Sequence, residues 1–293
     1  MERSTGRRLF HLLFVFLVVK ALHADEWNAV GPGVDYQRFL SASSDIHVAR
    51  IDLTNREIRV VGTPESSRGT TVGEFAKSVR ALVAINGDYF DAKLQPIGLA
   101  IGPCGQWEGT RDTKREGVAA FGTGRALIQR QSLVMDPPDE WIEAAVSGWP
   151  MIISSCEAYS AARLPGSDAF TRSPHPRTAV GLSANGKRLF LVVADGRREN
   201  VPGLTLAQLA RFMRETLGVC TAINLDGGGS SAMWIDGRVV NAPSDGAERR
   251  VSNHLAVVLD SDRPRCDRED PPLTPVSGNA QPKTGIERPR ARD

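Results

Sequence analysis

Three consecutive glycines, Gly227-Gly228-Gly229, set the tightest constraint on what this chain can fold into. They follow an apolar run from Cys220 to Leu225 and sit between Asp226 and the pair Ser230-Ser231. Each glycine costs conformational entropy on folding, so such a run belongs where backbone must approach backbone or a ligand closely. Behind it, Ala232 to Ile235 and Val239-Val240 flank Asp236-Gly237, a strong type I′ hairpin signal. The order is therefore strand, glycine turn, hairpin, and that order excludes several chemistries. Gly227 to Ala232 fits the dinucleotide spacing G-x-G-x-x-A, but that motif needs a helix to begin in the turn. A Walker loop needs a lysine that is missing here. A nucleophile elbow around Ser230 lacks both the helix and the final glycine. A serine hydrolase using Ser230 with His175 or His254 stays as a minor alternative. The favoured reading is a site where amide N–H groups and a carboxylate converge on something polar.

The rest of the chain supplies elements to hold such a turn. Thr71 with Glu74 and Thr205 with Gln208 are capping boxes that open two helices. Val72, Phe75, Ala76 and Val79 line one apolar face; Leu206, Leu209, Ala210, Met213 and Leu217 line the other, with Gly218 as the stop. Strands are expected at Asp45 to Leu53, Ile58 to Val61, Leu82 to Ile85, Ile97 to Ile101 and Leu255 to Leu259. Gly122-Thr123-Gly124 and Asn185-Gly186 each join a hairpin. Residues 25–45 and 154–176 read as irregular. Ala84-Ile85-Asn86-Gly87-Asp88 echoes Ala222-Ile223-Asn224-Leu225-Asp226 at four of five positions. Two equivalent crossovers would bring both turns to the carboxyl ends of neighbouring strands, where open sheets form ligand crevices. Asp195-Gly196-Arg197 would lie at the same edge. The plainer alternative is coincidence between two buried strand ends.

These elements describe an α+β (mixed α/β) fold: one domain with a mixed, largely antiparallel sheet core and a few packed helices. At 293 residues the chain can bury one sizeable core or two small ones. A formal charge of +2 gives no basic face, so nucleic acid is not an expected partner. Arg3, Arg7 and Arg8 precede an apolar run, Leu9 to Val19, and the small Ala24, which reads as a signal peptide over 1–24. The run is short for a membrane span, so no stable membrane insertion is expected after cleavage, with an uncleaved anchor as the lesser alternative, and the protein is expected to be exported, periplasmic or secreted. The folded domain would cover 25–262, followed by a disordered Pro-rich tail over 263–293. Cys104, Cys156, Cys220 and Cys266 show no Cys-x-x-Cys spacing, which disfavours zinc and favours disulfides in an oxidising compartment. Three connectivities are open; Cys104–Cys156 with Cys220–Cys266 is the expected one. The oligomeric state is not legible.

The run Asn224-Leu225-Asp226-Gly227-Gly228-Gly229-Ser230-Ser231 resembles the signature of the phosphodiester glycosidase domain family. Further matches follow the family's order: Asn86-Gly87-Asp88-Tyr89-Phe90, Arg177-Thr178-Ala179-Val180-Gly181, Asp195-Gly196-Arg197 and Asn253-His254-Leu255-Ala256-Val257. One departure is Asp88, where the family often has a glycine. The resemblance implies hydrolysis of the bond between a sugar's anomeric carbon and a phosphodiester, on an envelope or extracellular glycoconjugate. The substrate partner would be a carbohydrate phosphodiester. The alternative from another class is a non-catalytic glycan- or phosphate-binding protein of exopolysaccharide assembly.

The residue types suit that chemistry. An oxocarbenium-like transition state needs a carboxylate beside the anomeric carbon. Asp226 is the first candidate, with Asp88 or Asp195 as a second carboxylate. Arg177 and Arg197 are the expected phosphate ligands, because guanidinium offers a bidentate fork. Backbone N–H groups of Gly227, Gly228, Gly229 and Ser230 would form an anion nest. Thr178, Ser231 and Asn253 are candidates to hold sugar hydroxyls or orient water, and Asn86 and Asn224, at the two matching strand ends, are also expected to bind substrate. Asp236 and the pair Arg249-Arg250 are assigned to turn and solvent, and Trp149 to the core, with stacking on a sugar ring as its minor alternative. No cofactor is required; a calcium ion beside Asp88, Asp91 and Asp226 stays open, without EF-hand spacing to support it.

Overall fold

In the computed structural model, which describes residues 26–110, 117–134 and 136–266, alternation along Asp45–Asp52 sends side chains into two different cores. Ile46 and Val48 face one core, Ala49 and Ile51 the other. Arg188–Ala194 divides in the same way, with Phe190 and Val192 on one side and Leu189, Leu191 and Val193 on the other. A strand buried on both faces needs cover on both, and the chain supplies it in layers. The signal peptide expected over 1–24 and the tail beyond residue 266 lie outside the described residues.

Three sheets build the fold, and every strand pair within them is antiparallel. The large sheet has eight strands, with Asp45–Asp52, Arg188–Ala194, Arg177–Ser183 and Val219–Asn224 at its centre. A second sheet of five strands is built around Ala144–Gly148 and Gly117–Gly122. A third, also of five, centres on Val83–Asn86 between Met233–Ile235 and His254–Leu259. One core, containing Ile51, Ile85, Phe121, Leu191, Ile223 and Leu255, draws on all three sheets. Both expected long helices form, each with its complete capping box: α1 (Val72–Ser78) and α3 (Leu206–Glu215). The α1 side chains Val72, Phe75 and Ala76, with Val79 just beyond, pack with Ala84, Trp234 and Val258 of the third sheet. The α3 side chains Leu206, Leu209, Ala210 and Met213 are fully buried in a core shared with the large sheet. Burying a side chain of the Leu or Met type stabilises by about 1.5–3 kcal/mol. A short helix, α2 (Asp168–Thr171), lies in the loop before Arg177.

The sheet content exceeds that of a mixed fold, and three sequence expectations are corrected. First, residues 25–45 are not irregular: Asn28–Gly31 and Val34–Leu40 form a hairpin on the edge of the large sheet. Its strands carry Asp35, Gln37 and Arg38, so no apolar alternation announces them. Cross-strand ion pairs, Arg50–Asp35 at 2.8 Å and Arg38–Asp45 at 2.7 Å, join it to its neighbour. Second, Val83–Asn86 and Val219–Asn224 are not neighbouring parallel strands; they belong to different antiparallel sheets. Third, the disulfides are Cys104–Cys266 and Cys156–Cys220, not Cys104–Cys156 and Cys220–Cys266. Met151–Ser154 pairs antiparallel with Val219–Asn224, which carries Cys156 beside Cys220; the Cys156 amide donates to the Cys220 carbonyl at 2.8 Å. Sequence order cannot show such a register. The strand at Ile97 to Ile101 and the loop at 154–176 also differ in detail. Ladder pairing in the first is limited to Ile101–Gly102, and the second holds Glu157–Ala158 as well as α2. The Asp236-Gly237 hairpin forms as expected, with φ of +37° and +92°.

Candidate active site

The glycine turn is one 3-10 turn, Gly228–Ser230, followed closely by Met233–Ile235. No α-helix starts there, in keeping with the exclusion of a dinucleotide site. Each glycine makes room for something different. A side chain on Gly227 would press on the Pro176 carbonyl, 2.9 Å from an added Cβ. Gly228 has φ of +62° and lies against the Arg197 guanidinium, whose Nη2 is 3.0 Å from an added Cβ. Gly229 is covered by Arg249 and Asp245.

A cleft of about 250 Å³ opens beside this turn. Arg177, Arg197, Asp226, Gly227 and Gly228 line it, together with Tyr89, Phe170, His175 and Pro176. Five expected site residues therefore meet in one cavity. The other four carry little signal in the sequence. Tyr89 lies inside the motif that begins at Asn86, His175 enters only as a base for Ser230, and Phe170 and Pro176 belong to no motif. A larger groove of about 590 Å³, bordered by Gly102, Glu143 and Cys266, contains none of the candidates.

Asp226 is the one carboxylate lining the cleft among the described residues. The Gly227 amide donates to its Oδ1 at 2.9 Å, and the Ser230 hydroxyl also hydrogen-bonds it. Burial nevertheless outweighs these bonds and raises its pKa above the usual carboxylate value. Arg177 is 3% exposed. Its guanidinium donates to the carbonyls of Leu204 (3.0 Å), Phe170 (2.6 Å) and Ser173 (3.2 Å). Among the described residues it pairs with no carboxylate, and burial, together with the Arg197 charge, pulls its pKa down to about 10. Arg197 is exposed, holds φ of +58°, and has no carboxylate partner among the described residues. Two guanidiniums without counter-charge thus share a cleft with one carboxylate. Arg249, assigned to solvent from sequence, approaches the turn instead: it pairs with Asp245 and donates to Ser230 Oγ at 3.3 Å.

The remaining expected residues sit beneath the cleft. The echoing turns meet each other directly. Asn86 Nδ2 donates to the Asp226 carbonyl at 2.7 Å, and the Asp226 amide donates to the Gly87 carbonyl at 3.1 Å. The Thr178 hydroxyl lies 2.8 Å from Asn86 Oδ1 and 3.2 Å from Ser231 Oγ. Asn224 Nδ2 donates to Tyr89 Oη and to the carbonyls of Trp149 and Leu225. Asn86, Thr178, Asn224, Ser231 and Asn253 are all buried, so their polar groups hold the two turns and do not line the cleft. Trp149 is half-buried rather than core and stacks on Phe170, with centroids 5.1 Å apart.

Asp88 and Asp195 do not line the cleft either. Asp88 is 1% exposed; its Oδ1 accepts from Asn253 Nδ2 and the Ser147 amide, both at 3.0 Å, while Oδ2 has no partner among the described residues. Burial pushes its pKa well above the usual value. A carboxyl whose folded pKa is raised holds its proton in the native state after the unfolded chain has lost it. Its penalty is therefore absent below about pH 4 and grows as pH rises towards the folded pKa. Asp88→Asn, which has no proton to lose, is expected to raise Tm by several degrees at pH 8 and to leave it unchanged at pH 3.5. Differential scanning calorimetry at the two pH values checks this; equal shifts at both would refute it.

Asp195 belongs to a separate buried group with Asp45 and His47, whose ligand atoms lie within 4.8 Å of one another. Both Asp45 oxygens accept from Arg38, and Arg198 Nη2 bridges Asp45 Oδ2 (2.9 Å) and Asp195 Oδ2 (2.8 Å). Asn241 Nδ2 and the Ala242 amide fill the rest of Asp195. The carboxylates are thus matched by two guanidiniums. Asp88, Asp91 and Asp226 form no ligand cluster among the described residues, and Asp91 accepts from the amides of Lys93 and Gln95. For the serine-hydrolase alternative, His254 is buried, stacked on Phe75 and hydrogen-bonded to Thr63, and burial lowers its pKa to about 3. His175 Nε2 donates to the Ala169 carbonyl at 2.7 Å. Both imidazoles are thus engaged away from Ser230.

The sequence profile of the phosphodiester glycosidase family matches residues 79–258, more than half of the chain. Mouse N-acetylglucosamine-1-phosphodiester alpha-N-acetylglucosaminidase is 39% identical over 97 residues, covering 32% of this chain and 18% of that protein. The Bos taurus protein of the same name is 26% identical over 220 residues, covering 70% of this chain and 41% of that protein. The chain thus spans under half the length of these curated relatives. The zebrafish catalytic domain of that name, described as auto-inhibited by its pro-peptide, superposes with a TM-score of 0.63 at 23% identity. That match covers 80% of this chain and 86% of the zebrafish one, and it shows a shared fold.

Proposed function

The chain belongs to the phosphodiester glycosidase family, and we propose that it hydrolyses the glycosidic bond of a sugar-1-phosphodiester, releasing free sugar and a phosphomonoester. The observation that carries this reading is the cleft, where one carboxylate faces two guanidiniums that lack counter-charges. Water adds to the anomeric carbon as the carbon–oxygen bond breaks. The bonding electron pair leaves on the phosphate oxygen, and the proton released by water passes to the carboxylate and then to solvent.

Asp226 stabilises the developing positive charge at the anomeric carbon and takes up that proton. A phosphomonoester leaves as an anion without first being protonated, since its second pKa is about 6. One carboxylate is then sufficient, in contrast to an alkoxide leaving group, which needs a second carboxyl as acid. Asp88 and Asp195, which do not reach the cleft, are not required as that acid. Arg177 and Arg197 neutralise the phosphate as charge accumulates on it. The expected anion nest does not form: the Gly227 amide donates to Asp226 Oδ1, the Gly228 amide to the Pro176 carbonyl and the Ser230 amide to the Gly227 carbonyl, so the phosphate is left to the arginines, while Phe170 and Tyr89 give the sugar an aromatic wall. The two disulfides suit an oxidising compartment and fit an exported protein acting on an envelope or extracellular glycan.

The test is direct. The purified protein is incubated with a panel of sugar-1-phosphodiesters, beginning with N-acetylglucosamine-1-phosphodiesters, and free reducing sugar is quantified. Release of sugar and phosphomonoester in equal amounts is expected. Binding of a diester with no turnover across the panel would replace the enzyme by the glycan-binding reading. Turnover that is lost on labelling Ser230 with an active-site serine reagent would favour the serine hydrolase.

A further inference from the structure

Arg197 is held in a backbone conformation that L-residues avoid, at φ of +58°. Such a residue costs roughly 1–3 kcal/mol and persists only where its surroundings over-determine it. The surroundings in this case are specific. Asp195, two residues earlier, is 2% exposed. Its amide donates to the Asp45 carbonyl at 2.9 Å, which ties it to the large sheet. Its Oδ2 accepts from Arg198, which also reaches Asp45. His47, itself 1% exposed, points Nε2 at the same pair, 3.4 Å from Asp45 Oδ1 and 3.9 Å from Asp195 Oδ2, with its Nδ1 on the Tyr36 hydroxyl. Asp195 and Arg198, which bracket Arg197 in the chain, are therefore anchored in a buried ionic group.

The other oxygen of Asp195 points towards the glycine turn. Asn241 Nδ2 lies 3.0 Å from Asp195 Oδ1 and 3.1 Å from the Ser231 carbonyl, while Asn241 Oδ1 accepts from the Met233 amide at 2.8 Å. One buried amide thus spans from the loop carrying Arg197 to the end of the turn carrying Asp226. Gly196 leaves no slack: a Cβ there would lie 2.7 Å from the Pro176 nitrogen and 2.8 Å from the Pro202 carbonyl.

We infer that Asp195 and Asn241 are positioning residues, forming a clamp that fixes the Arg197 guanidinium over Gly228 at a set separation from Asp226. What Arg197 binds rests on the functional reading above: the phosphate of the substrate. Asp195 then matters to the reaction without touching substrate, which reconciles its match to the family motif with its absence from the cleft.

A double-mutant cycle tests this, because residues acting through one another are not additive. The dissociation constant for inorganic phosphate is measured by isothermal titration calorimetry on the full chain and on Asp195→Asn, Asn241→Ala, Arg197→Ala and the two doubles that combine each clamp variant with Arg197→Ala. Each single change is expected to weaken phosphate by about tenfold, the loss of one charge-assisted hydrogen bond. Each double is expected to bind no more weakly than Arg197→Ala alone. Doubles whose losses multiply would overturn the clamp, as would a clamp variant that binds like the wild type, or a wild type that does not bind phosphate. If Asp195→Asn fails to fold, judged by its thermal transition, Asn241→Ala carries the same decision. Hydrolysis is read in parallel. A coupled cycle with no diester cleaved keeps the clamp and removes the hydrolase; turnover with a multiplicative cycle does the reverse. A fall in kcat at unchanged phosphate affinity in Asp195→Asn would make it catalytic instead, against the inference.

Discussion

Asp226→Asn is expected to lower kcat on a sugar-1-phosphodiester by about 10³-fold or more while leaving KM within a few-fold. The change is isosteric, and the amide oxygen still accepts from the Gly227 N–H that now reaches Oδ1 at 2.9 Å. What is lost is the negative charge beside the anomeric carbon, an interaction that strengthens in the transition state. Its removal lowers kcat rather than binding. General-base catalysis alone contributes roughly 10²–10⁴-fold, and charge stabilisation adds to it. The pH profile gives a second readout. Because burial raises the Asp226 pKa, the carboxylate required for turnover forms only above the usual range. The acidic limb of kcat should then rise with pH and sit higher than for an exposed aspartate. Stability should respond in the opposite direction: removing a buried carboxyl that resists ionisation should hold or raise Tm at neutral pH. Activity within threefold of wild type would exclude Asp226 as the catalytic carboxylate. A large loss accompanied by a falling Tm would point to misfolding.

Arg177→Met is expected to be costly in both stability and binding. The guanidinium satisfies three carbonyls, those of Phe170, Ser173 and Leu204. Methionine fills a similar volume but donates nothing. A buried carbonyl left without a donor costs about 1–3 kcal/mol, and cleft water will satisfy some of the three. A net loss of about 3 kcal/mol is expected, or roughly 6–12 °C in Tm for a domain of this size. Arg177→Lys separates the two roles. It keeps the charge but, lacking the planar fork, cannot reach all three carbonyls while facing phosphate. Its KM should rise by about tenfold or more with Tm partly restored. If Arg177→Met leaves Tm within 1 °C, the three carbonyl bonds do not hold the loop between α2 and Arg177.

Much of the local structure is legible without coordinates. The capping boxes at Thr71 and Thr205 mark where α1 and α3 begin, because satisfying the first orphan N–H groups is a matter of neighbours in sequence. The Asn185-Gly186 and Asp236-Gly237 turns fix their hairpins for the same reason: the φ values they need are set locally. The edge hairpin at Asn28–Leu40 is not legible, because cross-strand ion pairs join it to the sheet and no apolar period marks it. The disulfide pairing is hidden too, because Cys156 meets Cys220 through a strand register.

The candidate site divides along the same line. The glycine turn, its acid and the two arginines are legible as chemistry, since an ordinary turn does not require three glycines beside an acid. The order of short motifs is enough to bring together the carboxylate of Asp226, the guanidiniums of Arg177 and Arg197 and the close-packed glycine backbone as the chemistry of one family. Tertiary structure alone decided which of them face the cleft. Asp88 and Asp195 carry the same carboxylate as Asp226, but one lies with Asn253 and Ser147, and the other with Arg198 and Asn241. Phe170 and His175 reach the cleft without a motif, and Asn241 bonds across 46 residues to Asp195 without one. A side chain's type fixes what it can do; burial and the direction of its hydrogen bonds fix where it does it. Both depend on contacts between segments far apart in the chain, which local pattern does not encode.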